Sequence, residues 1–196
     1  MEFHPRRPSG THGPMPSSGK LRAVKHDSKA EGADAAKRAN AREWEEVEEA
    51  VELLQDERFP DALYLLRDAI KKNPRNPYAY YFLGVALFET AQAEPARDAY
   101  RAALKLSPDY LGARVSLSHV LRMLGDLRGA IAEAEEALRR TPGDSDALHA
   151  AGLAHAARGD NFAARRYLNA FLASNPEFEA ATEARSILAT LDSDQN

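Results

Sequence analysis

Four prolines follow one another at a constant interval of 34 residues, at Pro74, Pro108, Pro142 and Pro176. Each follows a small polar residue. Because the residue before a proline is biased away from helical backbone, each proline marks the end of a helix. A period of this length is typical of a unit made of two helices and a turn. The chain is therefore predicted to be an all-α stack of helical hairpins.

Apolar residues recur at helical spacing within each unit, which predicts four hairpins over residues 43–76, 77–110, 111–144 and 145–178. The first helix is predicted to run without interruption from about Glu43 to a break at Glu57. Gly125 and Gly159 fall at the turns of the third and fourth hairpins, where left-handed backbone is common. A last helix over residues 179–191 is expected to cap the solenoid of residues 41–191, before a polar tail over 192–196.

The first 40 residues are rich in Pro, Gly, Ser and Lys, and a disordered basic arm is predicted there. Residues 1–42 contain nine Lys or Arg and four Asp or Glu, which leaves a net charge of +5, whereas the remainder carries −9. There is no cysteine, so disulfides and thiolate sites are excluded. The sequence shows no apolar run of signal-peptide or membrane-span length, and a cytoplasmic protein is expected.

The second unit resembles the tetratricopeptide repeat at Tyr80, Leu83-Gly84, Leu87, Ala96, Tyr100, Ala103 and Pro108. The other units fit in part and depart from the pattern at Glu46, Arg114 and Phe171. The resemblance implies a right-handed α-solenoid of four hairpins with a C-terminal capping helix. It also implies a scaffold or adaptor for protein–protein interaction.

In this family the first helix of each hairpin lines a concave groove, and the resemblance therefore implies the residues that contact a partner. They are Trp44, Val47, Val51, Tyr78, Tyr81, Val85, Phe88, Glu89, Val115, His119, Arg122 and His149. The aromatic members predict that the groove binds an apolar or amphipathic peptide or helix. An alternative is that the aromatic side chains are covered by the arm, by a neighbouring hairpin or by dimerisation.

Co-chaperones of this family bind the carboxylate end of heat-shock chaperones with Lys, Asn and Arg side chains. The matching positions of this chain hold Val47, Val51, Phe82, Gly112 and Ser116, so this clamp is absent. An acidic tail is therefore not the expected ligand. The resemblance also leaves open a chaperone for a secreted or membrane-inserting hydrophobic partner, in the manner of bacterial secretion chaperones, or a self-association module.

The sequence gives no support for an enzyme, because it contains no glycine-rich phosphate loop after a strand and no credible Ser–His–Asp arrangement. No cofactor is expected. His119 and His149 are predicted to face each other across adjacent hairpins, but two imidazoles without a third ligand do not predict a metal site. His155 falls in a packing position. The acidic body disfavours nucleic-acid binding, for which only the basic arm is a candidate.

Overall fold

The computed structural model describes residues 39–193, and this part of the chain is helical throughout apart from turns and short loops. The helices are α1 (39–45), α2 (Glu48–Gln55), α3 (Phe59–Lys72), α4 (Pro77–Glu89), α5 (Ala93–Leu106), α6 (Leu111–Met123), α7 (Leu127–Arg140), α8 (Ser145–Arg158), α9 (Asn161–Ala173) and α10 (Phe178–Ser193). The predicted all-α repeat fold is confirmed. The predicted basic arm lies almost entirely outside the described residues, as do the last three residues of the predicted tail.

The helices end where the prolines require it. Asn73, Ser107 and Thr141 each precede a proline, and their φ angles of −135°, −133° and −128° lie outside the helical region. Each still donates its backbone N–H to the carbonyl four residues earlier, so the helix closes without an unpaired donor. The proline period is therefore also the period of these three helix ends, whereas α9 ends one residue earlier, at Ala173.

The turn inside each hairpin uses left-handed backbone at one repeated position. Residues Glu57, Ala91, Gly125 and Gly159 have φ angles of 57°, 59°, 81° and 82°. Glycine adopts this conformation without steric cost, whereas a side chain with a Cβ atom does not. The third and fourth turns therefore have the residue that the geometry favours, and the first two do not.

Small residues allow the two helices of a hairpin to approach closely. A Cβ atom added to Gly84 would lie 2.6 Å from the Tyr100 ring, and one added to Gly152 would lie 2.5 Å from Leu168. Both distances are far below van der Waals contact, so only glycine fits at these crossings. The large partners, Tyr100 and Leu168, are themselves buried.

The predicted continuous first helix is wrong, because the backbone turns at residues 46–47 and separates α1 from α2. The fully buried Asn76 donates its side-chain N–H groups to the Glu43 carbonyl at 2.7 Å and to the Glu46 carboxylate at 2.9 Å. Its side-chain oxygen accepts the N–H of Tyr78 and so caps α4. A polar Glu46 thus replaces the large apolar residue of the family pattern, and its carboxylate accepts a hydrogen bond from the asparagine that caps α4.

Arg114, another departure from the pattern, is accommodated in a similar way. Its side chain is only 11% exposed, and its Nη1 donates to the Glu133 carboxylate at 2.5 Å. Nη2 donates to the Pro108 carbonyl at 2.8 Å. Charge pairing and a backbone acceptor together offset the cost of burying the guanidinium.

The largest buried cluster extends from α2 to α8, and α4 lies near its centre with nearly all of its side chains buried or half-buried. A smaller cluster joins α6, α7 and α8, and the last one joins α9 to α10 through Leu168, Phe171 and Ala184. The outward residues of α10 include exposed Glu179, Thr182 and Arg185. This helix therefore covers the apolar end of the stack with a polar surface.

Candidate functional site

The first helices of the hairpins form one continuous layer. α2 contacts α4, α4 contacts α6, and α6 contacts α8, in addition to the contacts that each makes with its own second helix. Among the described helices, no pair of second helices makes contacts of similar extent. In stacked repeats of this kind the more closely packed layer lies on the inner curve of the superhelix. The surface of the first helices is therefore the candidate site.

An aromatic cluster occupies the N-terminal half of this layer. Trp44 packs edge-on against Tyr78 and Phe82, with both pairs of ring centroids 5.8 Å apart. Tyr110 lies 5.6 Å from Tyr78 and 4.8 Å from Tyr81. Edge-to-face pairs at these distances stabilise aromatic clusters beyond the effect of buried area alone. The cluster joins α1, α4 and the loop before α6 into one rigid surface.

Tyr110 is a member of this cluster that the sequence pattern did not single out. It lies in the short loop before α6, outside the helical faces on which the groove residues were sought. Its side chain is only 4% exposed, and its hydroxyl has no hydrogen-bond partner within residues 39–193. Burial raises the pKa of Tyr110 well above its usual range, so the phenol stays protonated.

The predicted groove residues differ widely in exposure. Six of them are buried by the protein itself: Val47, Val51, Tyr78, Tyr81, Val85 and Val115. Trp44, Phe88, His119, Arg122 and His149 are half-buried, and Glu89 is exposed. The tyrosines expose only 6% and 8% of their surface, so they support the site from beneath. The half-buried residues and Glu89 provide the surface that a partner could contact.

The C-terminal half of the layer is polar. The His119 and His149 rings lie 6.2 Å apart across adjacent hairpins, as the sequence predicted. The His149 ring stacks on Phe171 at 4.4 Å, and its Nε2 lies 3.4 Å from the Glu183 carboxylate of α10. Phe171 occupies a position where the family pattern has a small residue, and its ring packs against this imidazole.

Burial lowers the pKa of His119 to about 4, and His149 and Arg122 add to the effect because both repel its positive charge. Burial also lowers the pKa of His149, although Glu183 and Asp146 partly oppose the shift. Both imidazoles are therefore uncharged near neutral pH. At the other end of the site, burial raises the pKa of Glu89, and the nearby Glu57 adds to the shift.

A model of the tetratricopeptide repeat matches residues 47–111, 92–145 and 115–177, which together cover most of the chain. The chain belongs to the tetratricopeptide repeat family. The match includes every hairpin of the structure, whose helix pairs and close glycine crossings agree with it. A comparison with curated protein sequences finds no significant match.

Solved tetratricopeptide structures share this fold. The crystal structure of TTC0263, from Thermus thermophilus, has 27% identity and a TM-score of 0.62, over 79% of this chain and 83% of that one. PilW, a type IV pilus biogenesis factor, has 22% identity and a TM-score of 0.67, over 75% of this chain and 70% of that one. YrrB, described as having an unusual peptide-binding site, has 20% identity and a TM-score of 0.62, over 81% of this chain and 88% of that one.

The tetratricopeptide fold is a scaffold for protein–protein interaction, and proteins of this family are generally not enzymes. Of the positions that form the chaperone-binding clamp in some members, three hold the buried apolar residues Val47, Val51 and Phe82. The other two hold Gly112 and Ser116, so no position of the clamp carries a basic side chain.

His155 is buried by the repeat packing, as its position predicted. It is 4% exposed, stacks on Tyr167 at 5.4 Å and is hydrogen-bonded through both ring nitrogens, to Asp160 at 3.1 Å and Glu135 at 3.2 Å. With both nitrogens occupied, this imidazole has a structural role.

Residues 39–193 contain no group of three or more His, Asp or Glu side chains arranged to hold a metal ion. The same part of the tetratricopeptide chain contains no helix with the length and apolar character needed to cross a membrane.

Proposed function

We propose that the first-helix surface of this tetratricopeptide chain binds an apolar or amphipathic segment of a partner protein. The observation that carries this proposal is the partly exposed aromatic surface of Trp44, which packs on Tyr78, and of Phe88, which lies on the same layer of first helices. Both side chains pack against the main core cluster and still expose part of their surface. Aromatic side chains of this kind are typical anchors at interfaces, because they bury a large area at small entropic cost.

The support beneath these anchors favours binding. Tyr78, Tyr81 and Tyr110 are already buried and in contact with one another, so a ligand does not have to order them. Association loses less free energy when the receptor surface is preorganised. The polar residues of the same surface, Glu89, His119 and Arg122, would orient an amphipathic segment and oppose a uniformly apolar one.

The test compares Phe88→Glu with Tyr64→Glu in the full chain. Tyr64 is the matched control, because it is an aromatic residue of the second helix α3 and is 73% exposed. Partners captured from native extract by the wild type would be identified, and their direct affinities measured with each variant. We expect Phe88→Glu to weaken the affinity for the partner by about tenfold or more, as at an interface hot spot. Tyr64→Glu should leave this affinity unchanged.

Equal affinity of the two folded variants would refute the proposal. The mass of each variant in solution would be measured in the same experiment. A dimeric wild type that becomes monomeric only in Phe88→Glu would show instead that this surface serves self-association.

A further inference from the structure

Arg122 differs from the other buried arginines of the structure. It lies in the last turn of α6, its side chain is half-buried, and its Nε is buried without a hydrogen-bond acceptor. The Nε atoms of Arg114 and Arg165 are also buried and unpaired, but those guanidinium groups form ion pairs with Glu133 and Asp192 through their other nitrogens. Arg122 forms no ion pair or hydrogen bond with any residue of the described range 39–193.

Within residues 39–193, Arg122 is the one charged base beside His119 and His149. His119 and His149 lie close enough to interact with it electrostatically, and both are uncharged at neutral pH. The acids that act on His149 are Asp146 and Glu183, and the Glu183 carboxylate faces the imidazole. A single positive charge, flanked by uncharged imidazoles and with acids nearby, is suited to one monoanionic group. A dianionic phosphate would be repelled more strongly by the same acids.

Because Nε is enclosed by the protein, a ligand can supply an acceptor only to the Nη groups of Arg122, which have no partner within residues 39–193. Carboxylate is the acceptor whose geometry best matches the planar donor edge of arginine. The first-helix layer continues past Arg122 on both sides, to α4 and to α8, so a segment lying along the whole layer would meet Arg122 with a side-chain carboxylate. It is not the terminal carboxylate that the family clamp recognises.

We propose that Arg122 pairs with an Asp or Glu side chain of the segment bound in the groove, so that the ligand is an acidic amphipathic peptide. This inference rests on the proposed function, because it assumes that the first-helix surface binds a peptide. It adds that apolar side chains of the ligand contact the part of the first-helix surface around Trp44 and Phe88. One carboxylate of the ligand contacts Arg122, in the part around His119 and His149.

The experiment selects peptides from a displayed library of amphipathic sequences against the full-length wild type. The same library is selected against Arg122→Gln, against Arg122→Glu and against Arg101→Gln. Arg101 is the matched control, since it is an exposed arginine of the second helix α5. Helix content and thermal unfolding are compared first, so that only folded variants enter the selection.

Wild type and Arg101→Gln are expected to select an Asp or Glu at one fixed distance from the apolar positions. Arg122→Gln should keep the apolar preference without the acid, and Arg122→Glu should select Lys or Arg there. For the best peptide, replacing its acid by the corresponding amide should weaken binding to the wild type by about tenfold, as expected for a charged hydrogen bond. The same replacement should have no effect on binding to Arg122→Gln, which is the signature of a direct pair.

Equal affinity of the acidic and amide peptides for the wild type would overturn the inference. If Phe88→Glu still abolished their binding, the proposed function would stand without it. A library that yields no peptide sensitive to Phe88→Glu would overturn the inference and the proposed function together. This includes the case in which the groove is filled by residues 1–38 or by a second copy of the chain.

Discussion

At the scale of single residues, the repeated turn position carries a measurable strain. Ala91 adopts a φ of 59°, whereas the equivalent residue of the next unit is Gly125, with a φ of 81°. Nothing lies within 4 Å of a Cβ atom added at Gly125, so a side chain at this turn meets no steric clash with other residues. Its cost in free energy comes from the left-handed backbone alone. Left-handed backbone disfavours residues with a Cβ atom by about 1–2 kcal/mol.

We therefore expect Ala91→Gly to raise the free energy of unfolding, although the greater freedom of glycine in the unfolded chain reduces the gain to about 0.5–1 kcal/mol. The reciprocal Gly125→Ala should lower it by about 1 kcal/mol. Chemical denaturation of both variants measures the two changes. If both substitutions changed stability in the same direction, backbone strain at this position would not be the cause.

His119 gives the stability of the protein a dependence on acid pH. Its pKa falls from 6.5 to about 4 on folding because the imidazole is buried beside His149 and Arg122. The unfolded chain therefore takes up a proton first as the pH falls, so stability is complete above about pH 7 and is lost between about 6.5 and 4. The loss due to this residue is at most about 3 kcal/mol.

The variant His119→Gln should remove this part of the pH dependence. Denaturation curves measured between pH 7 and pH 4 are expected to show a smaller slope for the variant than for the wild type. Titrating groups that do not interact with His119 have the same effect in both proteins and cancel in the difference, whereas the neighbouring His149 contributes to it. Equal slopes for the two proteins would contradict this expectation, because they would show that folding leaves the pKa of His119 unchanged.

At the scale of the helices, the sequence predicted those features that are fixed locally. Prolines end the second helices through the residue that precedes them, and this effect needs no tertiary contact. The break between α1 and α2 has a different origin, since the Asn76 side chain that holds Glu43 and Glu46 lies about thirty residues away in the sequence. A pattern of apolar residues carries no information about such a contact.

The exposure of the groove side chains was unpredictable for a related reason. The helical period correctly placed Tyr78 and Tyr81 on one face of α4, but their burial depends on Tyr110, which contacts them from the loop before α6. Phe171 similarly reaches His149 from α9. Periodicity determines the direction of a side chain, whereas the neighbouring helix determines how much of it stays accessible. The groove assignment remains a prediction.

Asn76 has two separable roles at this scale, and two substitutions distinguish them. Asn76→Ala removes the cap of α4 and the contacts to α1, and we expect a loss of about 2–3 kcal/mol. Asn76→Asp keeps an oxygen that can accept the Tyr78 N–H, but it cannot donate to Glu43 and places a second carboxylate beside Glu46. Asn76→Asp should therefore destabilise residues 39–55, while the amides of α4 stay protected from hydrogen exchange.

Amide hydrogen exchange measured along the chain checks this expectation. In Asn76→Asp, exchange should accelerate in α1 and α2 and remain slow in the central helix α4. In Asn76→Ala, the first turn of α4 should exchange faster as well. Uniform acceleration along the whole chain in Asn76→Asp would contradict separate roles, because it would mean that the residue only sets global stability.

At the scale of the whole molecule, the buried clusters are unequal. The cluster from α2 to α8 is the largest, whereas α10 is held on α9 by the small group around Leu168, Phe171 and Ala184. In a stacked repeat each unit is stabilised by its neighbours, so a weak end can unfold while the remainder stays folded. The C-terminal end is therefore the region expected to open first.

The single tryptophan provides a probe of the opposite end, since Trp44 packs in the N-terminal aromatic cluster. Phe171→Ala removes a side chain that is 2% exposed and supports His149, which should destabilise the C-terminal end by about 3–5 kcal/mol. We expect the far-UV circular dichroism of Phe171→Ala to decrease at a lower denaturant concentration than that of the wild type, with little change in the transition reported by Trp44 fluorescence.

Leu66→Ala, a change in the fully buried core of α3, serves as the comparison and should shift the Trp44 transition. Coincident transitions in Phe171→Ala would instead show that the stack unfolds as one cooperative unit, with the capping helix coupled to the aromatic end across all four hairpins.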